Sequence, residues 1–346
     1  MPATLWAQPE KGLGQRMTLG SERAATGTAP RGRSETPHGW NATLIPDLSG
    51  RSAVVTGANS GIGFHTAVRL AACGADVVLA CRDLERGAGA LDRLRRESPD
   101  ARAELASLDL ADLSSVHRFA AELAARRDGL DVLVNNAGVM AIPRRLTGEG
   151  FEMQLGTNHL GHFALAGLLL PLLLARPDAR VVTVSSAMHR VGRIDFSDLQ
   201  GERRYRRWRA YAQAKLANLL FAFELHRRST ARHLDLRSVA VHPGYSATNL
   251  QQASGGRTVS ALVGGIYGLG NRLIAQPDTE GALPSLYAAT APEISGGQYF
   301  GPDGPLELRG RPRRTVAAAR AYDPEIARRL WEVSEALTGV RYDALG

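Results

Sequence analysis

Tyr211 and Lys215 stand four positions apart in Tyr-Ala-Gln-Ala-Lys. On a helix that spacing puts both side chains on one face. A free phenol has a pKa of about 10 and is a poor base at neutral pH. An ammonium beside it favours the phenolate, so the pair is suited to moving a proton. The lysine itself stands out: of 42 basic residues only two, Lys11 and Lys215, are lysine. Arginine is planar and effectively never gives up its proton. A compact ammonium in an arginine-dominated chain points to a task that arginine performs badly.

A second chemical feature lies nearer the start. Thr56-Gly-Ala-Asn-Ser-Gly-Ile-Gly63 follows a short apolar run and opens a helix-length segment. Gly57 permits a tight turn, Gly61 lets the backbone approach a pyrophosphate, and Gly63 allows close helix–sheet packing. The helix N-terminus adds positive potential. Asn59, Ser60 and Ile62 complete this expected cofactor cradle. At the end of the next apolar run stands Ala80-Cys-Arg-Asp83. An acidic residue there binds the ribose 2′-hydroxyl of NAD, and an arginine accommodates the 2′-phosphate of NADP. Cys81 takes the strand-end position and Arg82 follows, which points to NADP(H) over NAD(H). Asp83, one step later, is the competing signal.

The elements that must position these residues are visible as a pattern. Apolar runs begin at Ser52 and recur over Asp76–Cys81, Ala103–Leu108, Asp131–Asn135, Arg180–Ser185 and Leu236–Val241. Helix-length segments such as Leu84–Glu97 and Asp112–Arg127 lie between them. Short buried strands alternating with helices predict βαβ units and a doubly wound parallel sheet, an α/β fold of Rossmann type. A helix is expected from Pro277 to about Thr290, a last strand within Gly296–Gly304, and a helix capped by Asp323 with Pro324 in its first turn. Leu330, Val333 and Leu337 give that helix an apolar stripe. With no linker after residue 45, a single domain over 45–346 is expected. Residues 1–44, rich in Gly, Thr, Ser, Pro and Arg, are expected to form a flexible basic tail, with Met17 an alternative start.

Composition narrows the class. The net charge of +8 and the sequence pI of about 10 suit nucleic acid or an anionic surface. The near-total use of arginine, with abundant alanine, instead reflects a GC-rich coding sequence, and no nucleic-acid-binding motif is present. Met1 to Gly50 lacks the apolar core of a secretory signal. The longest apolar run, Phe163–Ala175, falls short of the roughly 20 residues that a membrane span needs; Leu165–Leu174 is expected to be a buried helix or a subunit contact. Two cysteines make no disulfide framework and suit a reducing cytoplasm, the expected location. His159, His162, His189 and His242 are not at metal-ligand spacing, so no metal is expected. The run Glu202-Arg-Arg-Tyr-Arg-Arg-Trp-Arg209 is expected to be a solvated face, with the rim of an anionic-substrate pocket as its rival.

The glycine loop joins Asp109 in Leu108-Asp-Leu, Asn135-Asn-Ala-Gly138, Ser185-Ser186 and Tyr211-Ala-Gln-Ala-Lys215. In this order the set resembles the short-chain dehydrogenase/reductase family over about residues 45–310. Ala80-Cys-Arg-Asp83, Asn158-His-Leu-Gly-His-Phe163, Tyr211-Ala-Gln-Ala-Lys-Leu-Ala-Asn218 and His242-Pro-Gly244 resemble its retinol-dehydrogenase-like and protochlorophyllide-reductase-like branch, as does the 25-residue gap from Ser186 to Tyr211. The membrane anchor of vertebrate retinol dehydrogenases is not seen.

The resemblance implies an NADP(H)-dependent oxidoreductase interconverting a carbonyl and an alcohol through a tetrad of Asn158, Ser186, Tyr211 and Lys215. Tyr211 would pass the proton, Ser186 would hold the substrate oxygen, Lys215 would also bind the nicotinamide ribose, and Asn158 would sit in a main-chain kink. It further implies Asp109 and Leu110 near the adenine, Asn135, Ala137 and Gly138 under the adenosine ribose, and Pro243, Gly244 and Thr248 by the nicotinamide amide and pyrophosphate. Met140, Met188, Trp208, Tyr245 and Leu250 are the candidates for an apolar wall around a lipophilic small-molecule substrate. A homo-oligomer is compatible with all of this. The rival from another class is a non-catalytic nucleotide-binding sensor on the same fold, against which the complete tetrad argues.

Overall fold

The computed structural model describes residues 39–245 and 277–346. At its centre are β1 (Ser52–Thr56), β2 (Asp76–Cys81), β3 (Ala103–Ser107), β4 (Val132–Asn135), β5 (Ala179–Val184), β6 (Leu236–Val241), β7 (Tyr299–Pro302) and β8 (Pro312–Arg314). They form one sheet in the order β3-β2-β1-β4-β5-β6-β7-β8. The strands from β1 to β7 pair in parallel, and β8 runs antiparallel to β7. This is the Rossmann-type α/β architecture that the alternating pattern predicts.

The strands read as nearly unbroken apolar runs because both faces are covered. Successive residues point to opposite sides. Val55, Val77, Val134 and Val182 pack with Phe64 and Leu70 of α1 (Gly61–Ala72) and Leu91 and Leu94 of α2 (Leu84–Glu97). Val54, Leu133 and Val181 pack with Phe119 of α3 (Leu113–Ala124) on the other face. That layer continues through α4 (Met153–Leu155), a π-turn at Gly156–Leu160, α5 (Gly161–Leu168) and α6 (Leu170–Leu174). Leu165, Leu169 and Leu173 are buried there, so the apolar stretch is a core helix pair. The long α7 (Arg207–Ala231) completes the layer. Among the described residues no helix is long and apolar enough to cross a membrane.

Two expectations are corrected, and one strand is added that the pattern does not show. The packed domain begins before residue 45. Trp40 is buried with its ring edge-on to Tyr287 at 5.1 Å, and Ala42–Leu44 form a 3-10 turn capped by Asn41. An indole of that size is drawn from water wherever an apolar seat exists. The helix expected over 277–290 is two pieces, α8 (Asp278–Gly281) and α9 (Leu283–Thr290). Pro284 lies in the first turn of α9 and has no N–H with which to continue α8. The edge strand β8 has no counterpart in the sequence pattern, since Pro-Arg-Arg carries no apolar run.

The last helix, α10 (Pro324–Thr338), starts as expected: Asp323 accepts the Glu325 and Ile326 backbone N–H groups at 2.9 and 3.1 Å. Its buried face is Ala327, Leu330, Trp331, Ser334 and Thr338, while Val333 and Leu337 are only half-buried. Trp331 stacks on Phe221 of α7. Asp323→Ala leaves those N–H groups without their acceptor and is expected to lower stability by about 1 kcal/mol. Urea unfolding of the two proteins checks this.

Candidate active site

Between β1 and β4 the strand order reverses, and a cleft opens at the C-terminal ends of the strands. Gly57, Asn59, Ser60, Gly61, Ile62 and Gly63 line it from the β1–α1 loop. Gly57 has φ +66°, a conformation that glycine adopts freely. A Cβ on Gly63 would sit 2.6 Å from the Gly57 carbonyl oxygen. The loop is therefore compact enough to present the start of α1 to the cleft, where an anionic group is favoured.

At one end of the cleft stand Arg82 and Arg86, both exposed. Neither forms an ion pair among the described residues. Asp83, the competing acidic signal, lines the same cleft and also N-caps α2, one carboxylate oxygen accepting the Arg86 N–H at 3.0 Å. Arg86, in the first turn of α2, is a cleft residue that the sequence reading did not single out.

Further along, Leu108, Asp109, Leu110, Ala137 and Gly138 line the cleft. The Asp109 carboxylate accepts the Ala111 N–H at 2.9 Å, and Ser115 Oγ accepts the Asp109 N–H at 3.0 Å. Asn135 does not line the cleft. It ends β4 inside the sheet, 1 % exposed, and its amide has no hydrogen-bond partner among the described residues. The lining residue is Asn136, whose Nδ2 donates to the Thr56 carbonyl at 2.8 Å. The alternation of a strand decides between two adjacent asparagines, and its phase depends on where β4 stops.

At the other end Tyr211, Lys215 and Pro243 close the cleft. Tyr211 and Lys215 lie on one face of α7, with the Lys215 Nζ 5.8 Å from the centre of the phenol ring. Nζ donates to the Val184 carbonyl at 3.1 Å, which also accepts from Asn218 Nδ2 at 3.0 Å. Ser185 Oγ donates to the Lys215 carbonyl at 2.7 Å, tying α7 to the end of β5. Against the effect of burial, Ser186 pulls the Tyr211 phenol down, while Ser186 Oγ accepts the Met188 N–H at 3.3 Å. Ser186 is itself fixed from behind, since His189 Nδ1 donates to its carbonyl at 2.7 Å.

The electrostatics differ from the expectation of a depressed phenol. Burial pushes Tyr211 up to about 12, only partly offset by Ser186, and burial pulls Lys215 down to about 8. Desolvation is the largest influence on both groups. Tyr211 thus holds its proton at neutral pH.

Asn158 lies behind the cleft in the π-turn, the main-chain kink that the family resemblance implies. Its Oδ1 accepts the Val139 N–H at 2.7 Å and its Nδ2 donates to the Val139 carbonyl at 2.9 Å. Gly138 lies under the same clamp: a Cβ there would be 3.0 Å from Asn158 Oδ1 and 3.6 Å from Lys215 Nζ.

The turn after β6 is held by a loop the sequence reading did not single out. Gly244 has φ +71° and donates its N–H to His242 Nδ1 at 3.3 Å; Tyr245 N–H donates to the Leu308 carbonyl at 2.8 Å. His242 Nε2 lies 3.1 Å from Glu307 Oε2, and Arg190 reaches the same carboxylate at 3.1 Å. Burial alone would push Glu307 up, but His242, Thr315 and Arg190 together hold it down at about 2. Leu306 and Glu307 both have left-handed backbones, at φ +54° and +57°, a strain that these contacts maintain. Gly244 does not itself line the cleft.

Of the apolar-wall candidates, Trp208 is 49 % exposed with its ring edge-on to Tyr211 at 6.3 Å. Met140, Met188 and Tyr245 are half-buried. Thr248 and Leu250 lie outside the described residues. The arginine run is exposed, as a solvated face would be, and Arg203, Arg204, Arg206 and Arg209 line a separate hollow with Asp195 and Asp198.

The comparisons agree with this architecture. Residues 51–257 match the short chain dehydrogenase family. The chain is 41% identical over 299 residues to retinol dehydrogenase 13 of Homo sapiens, covering 85% of this chain and 86% of that protein. It is 42% identical over 304 residues to polyprenol dehydrogenase of Mus musculus, covering 86% of each. A crystal structure of an uncharacterized protein from Mycobacterium Paratuberculosis, 44% identical, covers 88% of this chain and 98% of that one with a TM-score of 0.72. The chain belongs to the short-chain dehydrogenase/reductase family, in its retinol-dehydrogenase-like branch. It is an oxidoreductase of that family, whose members bind a nicotinamide cofactor.

Glu307 makes the acid stability of this end testable. Its carboxyl is depressed from 4.5 to about 2, so its stabilisation is full above about pH 4.5 and is lost as the pH falls towards 2. The change amounts to at most about 3 kcal/mol. Glu307→Gln should flatten the slope of unfolding free energy against pH across that window. An unchanged slope would show that the carboxylate is not held as described.

Proposed function

We propose that the protein is an NADP(H)-dependent reductase and dehydrogenase of a lipophilic aldehyde–alcohol or ketone–alcohol pair. The observation that carries this is one cleft lined by Arg82 and Arg86, which form no ion pair among the described residues, and by Tyr211 and Lys215. Gly57, Gly61 and Gly63 fit a dinucleotide, because the loop presents backbone and the start of α1 with no side chain in the way. With one oxygen of Asp83 held in its helix cap, the adenosine end offers cations and suits a 2′-phosphate. When bound, the nicotinamide supplies or accepts the hydride.

The protein's part is positional and acid–base. Tyr211, protonated at neutral pH, donates its phenolic proton to the carbonyl oxygen in reduction and recovers one in oxidation. Ser186 hydrogen-bonds that oxygen as charge develops on it. Lys215, anchored at the Val184 carbonyl, supplies positive charge under the phenol and donors for ribose hydroxyls. Asn158 fixes Gly138 and Val139 next to this ammonium. Support for a lipophilic substrate comes from Trp208 beside Tyr211 and from relatives named for retinol and polyprenol. The test is a screen following NADPH absorbance with aldehydes and ketones of graded length; activity confined to short hydrophilic carbonyls would overturn the substrate class.

Two substitutions separate the parts of this mechanism. Tyr211→Phe keeps the ring and removes the proton, so turnover should fall about 10²–10⁴-fold while NADPH affinity stays near that of the parent. Near-parental turnover would exclude Tyr211 as the proton donor. Replacing Arg82 and Arg86 together by alanine removes charge-assisted contacts worth roughly 1.5–3 kcal/mol each. NADPH affinity should then fall at least about tenfold, with NADH affinity largely spared. Equal losses for both cofactors would remove the 2′-phosphate assignment.

A further inference from the structure

His162 is 1 % exposed, is not among the four tetrad positions and does not line the cleft. Its two ring nitrogens nevertheless join two parts of the site. Nδ1 lies 3.0 Å from the Asn158 carbonyl oxygen, and Nε2 lies 2.9 Å from Thr56 Oγ1. A carbonyl can only accept, so Nδ1 carries the hydrogen. In the neutral ring Nε2 then accepts, and the Thr56 hydroxyl donates to it at 2.9 Å in preference to the Val134 carbonyl at 3.3 Å. Burial, reinforced by the charge of Lys215, holds the imidazole down at about 4, so the neutral form is present at neutral pH.

Thr56 is in turn fully used. Its oxygen accepts the Asn136 N–H at 2.9 Å and the Ala137 N–H at 3.0 Å. From Ala137 the chain runs through Gly138 to Val139, which the Asn158 side chain clamps by two hydrogen bonds. The path therefore closes on itself: Thr56, the Asn136–Val139 segment, Asn158, His162 and Thr56 again. Gly138 lies inside the ring, against Lys215 Nζ. The side-chain polar atoms of Thr56, Asn158 and His162 each have a partner, which is the condition for a buried network to stiffen a site.

We infer that His162 is a positioning residue that locks the nucleotide-binding turn after β4 to the π-turn carrying Asn158, so that cofactor seat and proton-transfer group move as one body. The inference rests on the dinucleotide reading of the cleft. Its two bonds have separate consequences. The bond to Thr56 sets the hydroxyl that orients the Asn136 and Ala137 amides, on the cofactor side. The bond to Asn158 sets the kink that orients Val139 and Gly138 beside Lys215, on the catalytic side.

Two amide substitutions separate these bonds. His162→Asn places an amide near Nδ1, keeping the donor to Asn158 and losing the acceptor for Thr56. His162→Gln places one near Nε2, keeping the partner of Thr56 and losing the donor to Asn158. NADPH dissociation constants by fluorescence titration, kcat on one active carbonyl, and thermal unfolding are measured on each. His162→Asn should weaken NADPH about fivefold, the scale of one neutral hydrogen bond, with a smaller loss of kcat. His162→Gln should lower kcat about fivefold with a smaller loss of affinity. Parallel losses in both variants, tracking a common fall in unfolding temperature, would reduce His162 to a core residue and overturn the inference.

If a His162 variant does not fold, Thr56 gives the same answer from the other side. Thr56→Val should weaken NADPH about fivefold, and Thr56→Ser, which restores the hydroxyl, should recover most of that loss. Equal weakening by both would overturn the inference. If the parent protein binds neither NADPH nor NADH, the cleft reading falls and takes this one with it. If the parent binds and the variants fail to separate, only the lock is wrong.

Discussion

The Thr56 hydroxyl sits at the point where the sheet changes direction. β2 and β3 are laid down to one side of β1, and β4 to β8 to the other. A crevice necessarily remains at the strand ends between β1 and β4, because the helices after them leave to opposite faces. Thr56 bridges that crevice by accepting two backbone N–H groups from the chain leaving β4. Gly63 lets α1 close down on the Gly57 carbonyl and on Asn136. The glycine loop, Gly138 and the Asn158 clamp all take their positions from this junction.

Burial does the remaining electrostatic work. Tyr211 and Lys215 are held on one rigid helix, with Ser185 and Asn218 pinning that helix to the end of β5. Desolvation keeps the phenol protonated and makes the ammonium easier to neutralise. Both effects follow from low polarizability around a charge. At the opposite end, exposure matters instead: Arg82 and Arg86 form no ion pair among the described residues, and one oxygen of Asp83 is held in the helix cap.

The C-terminal part of the chain contributes through contacts rather than chemistry. Glu307 draws together Arg190, two residues before Gly192, the His242 turn and Thr315 after β8. Two consecutive left-handed residues place it there. Trp40 at the start and Trp331 near the end each fill an aromatic seat, on Tyr287 and Phe221 respectively. These contacts join segments far apart in sequence.

Local pattern sufficed where the cause is local. The strand–helix alternation, the Asp323 cap and the Leu84–Glu97 helix follow from periodicity and capping, which a chain carries within a few residues. So do the glycine loop and the Tyr211–Lys215 pair, because spacing on one helix fixes which side chains share a face. Tertiary structure decided what depends on neighbours distant in sequence. It chose Asn136 over Asn135 for the cleft, through the point at which β4 ends. It placed Arg86 in the cleft lining with Arg82. It raised the Tyr211 phenol where proximity to Lys215 suggested lowering, because burial is set by the whole fold. His162 and Glu307 were silent in the sequence for the same reason: a hydrogen-bond partner 106 residues away leaves no mark in a local window.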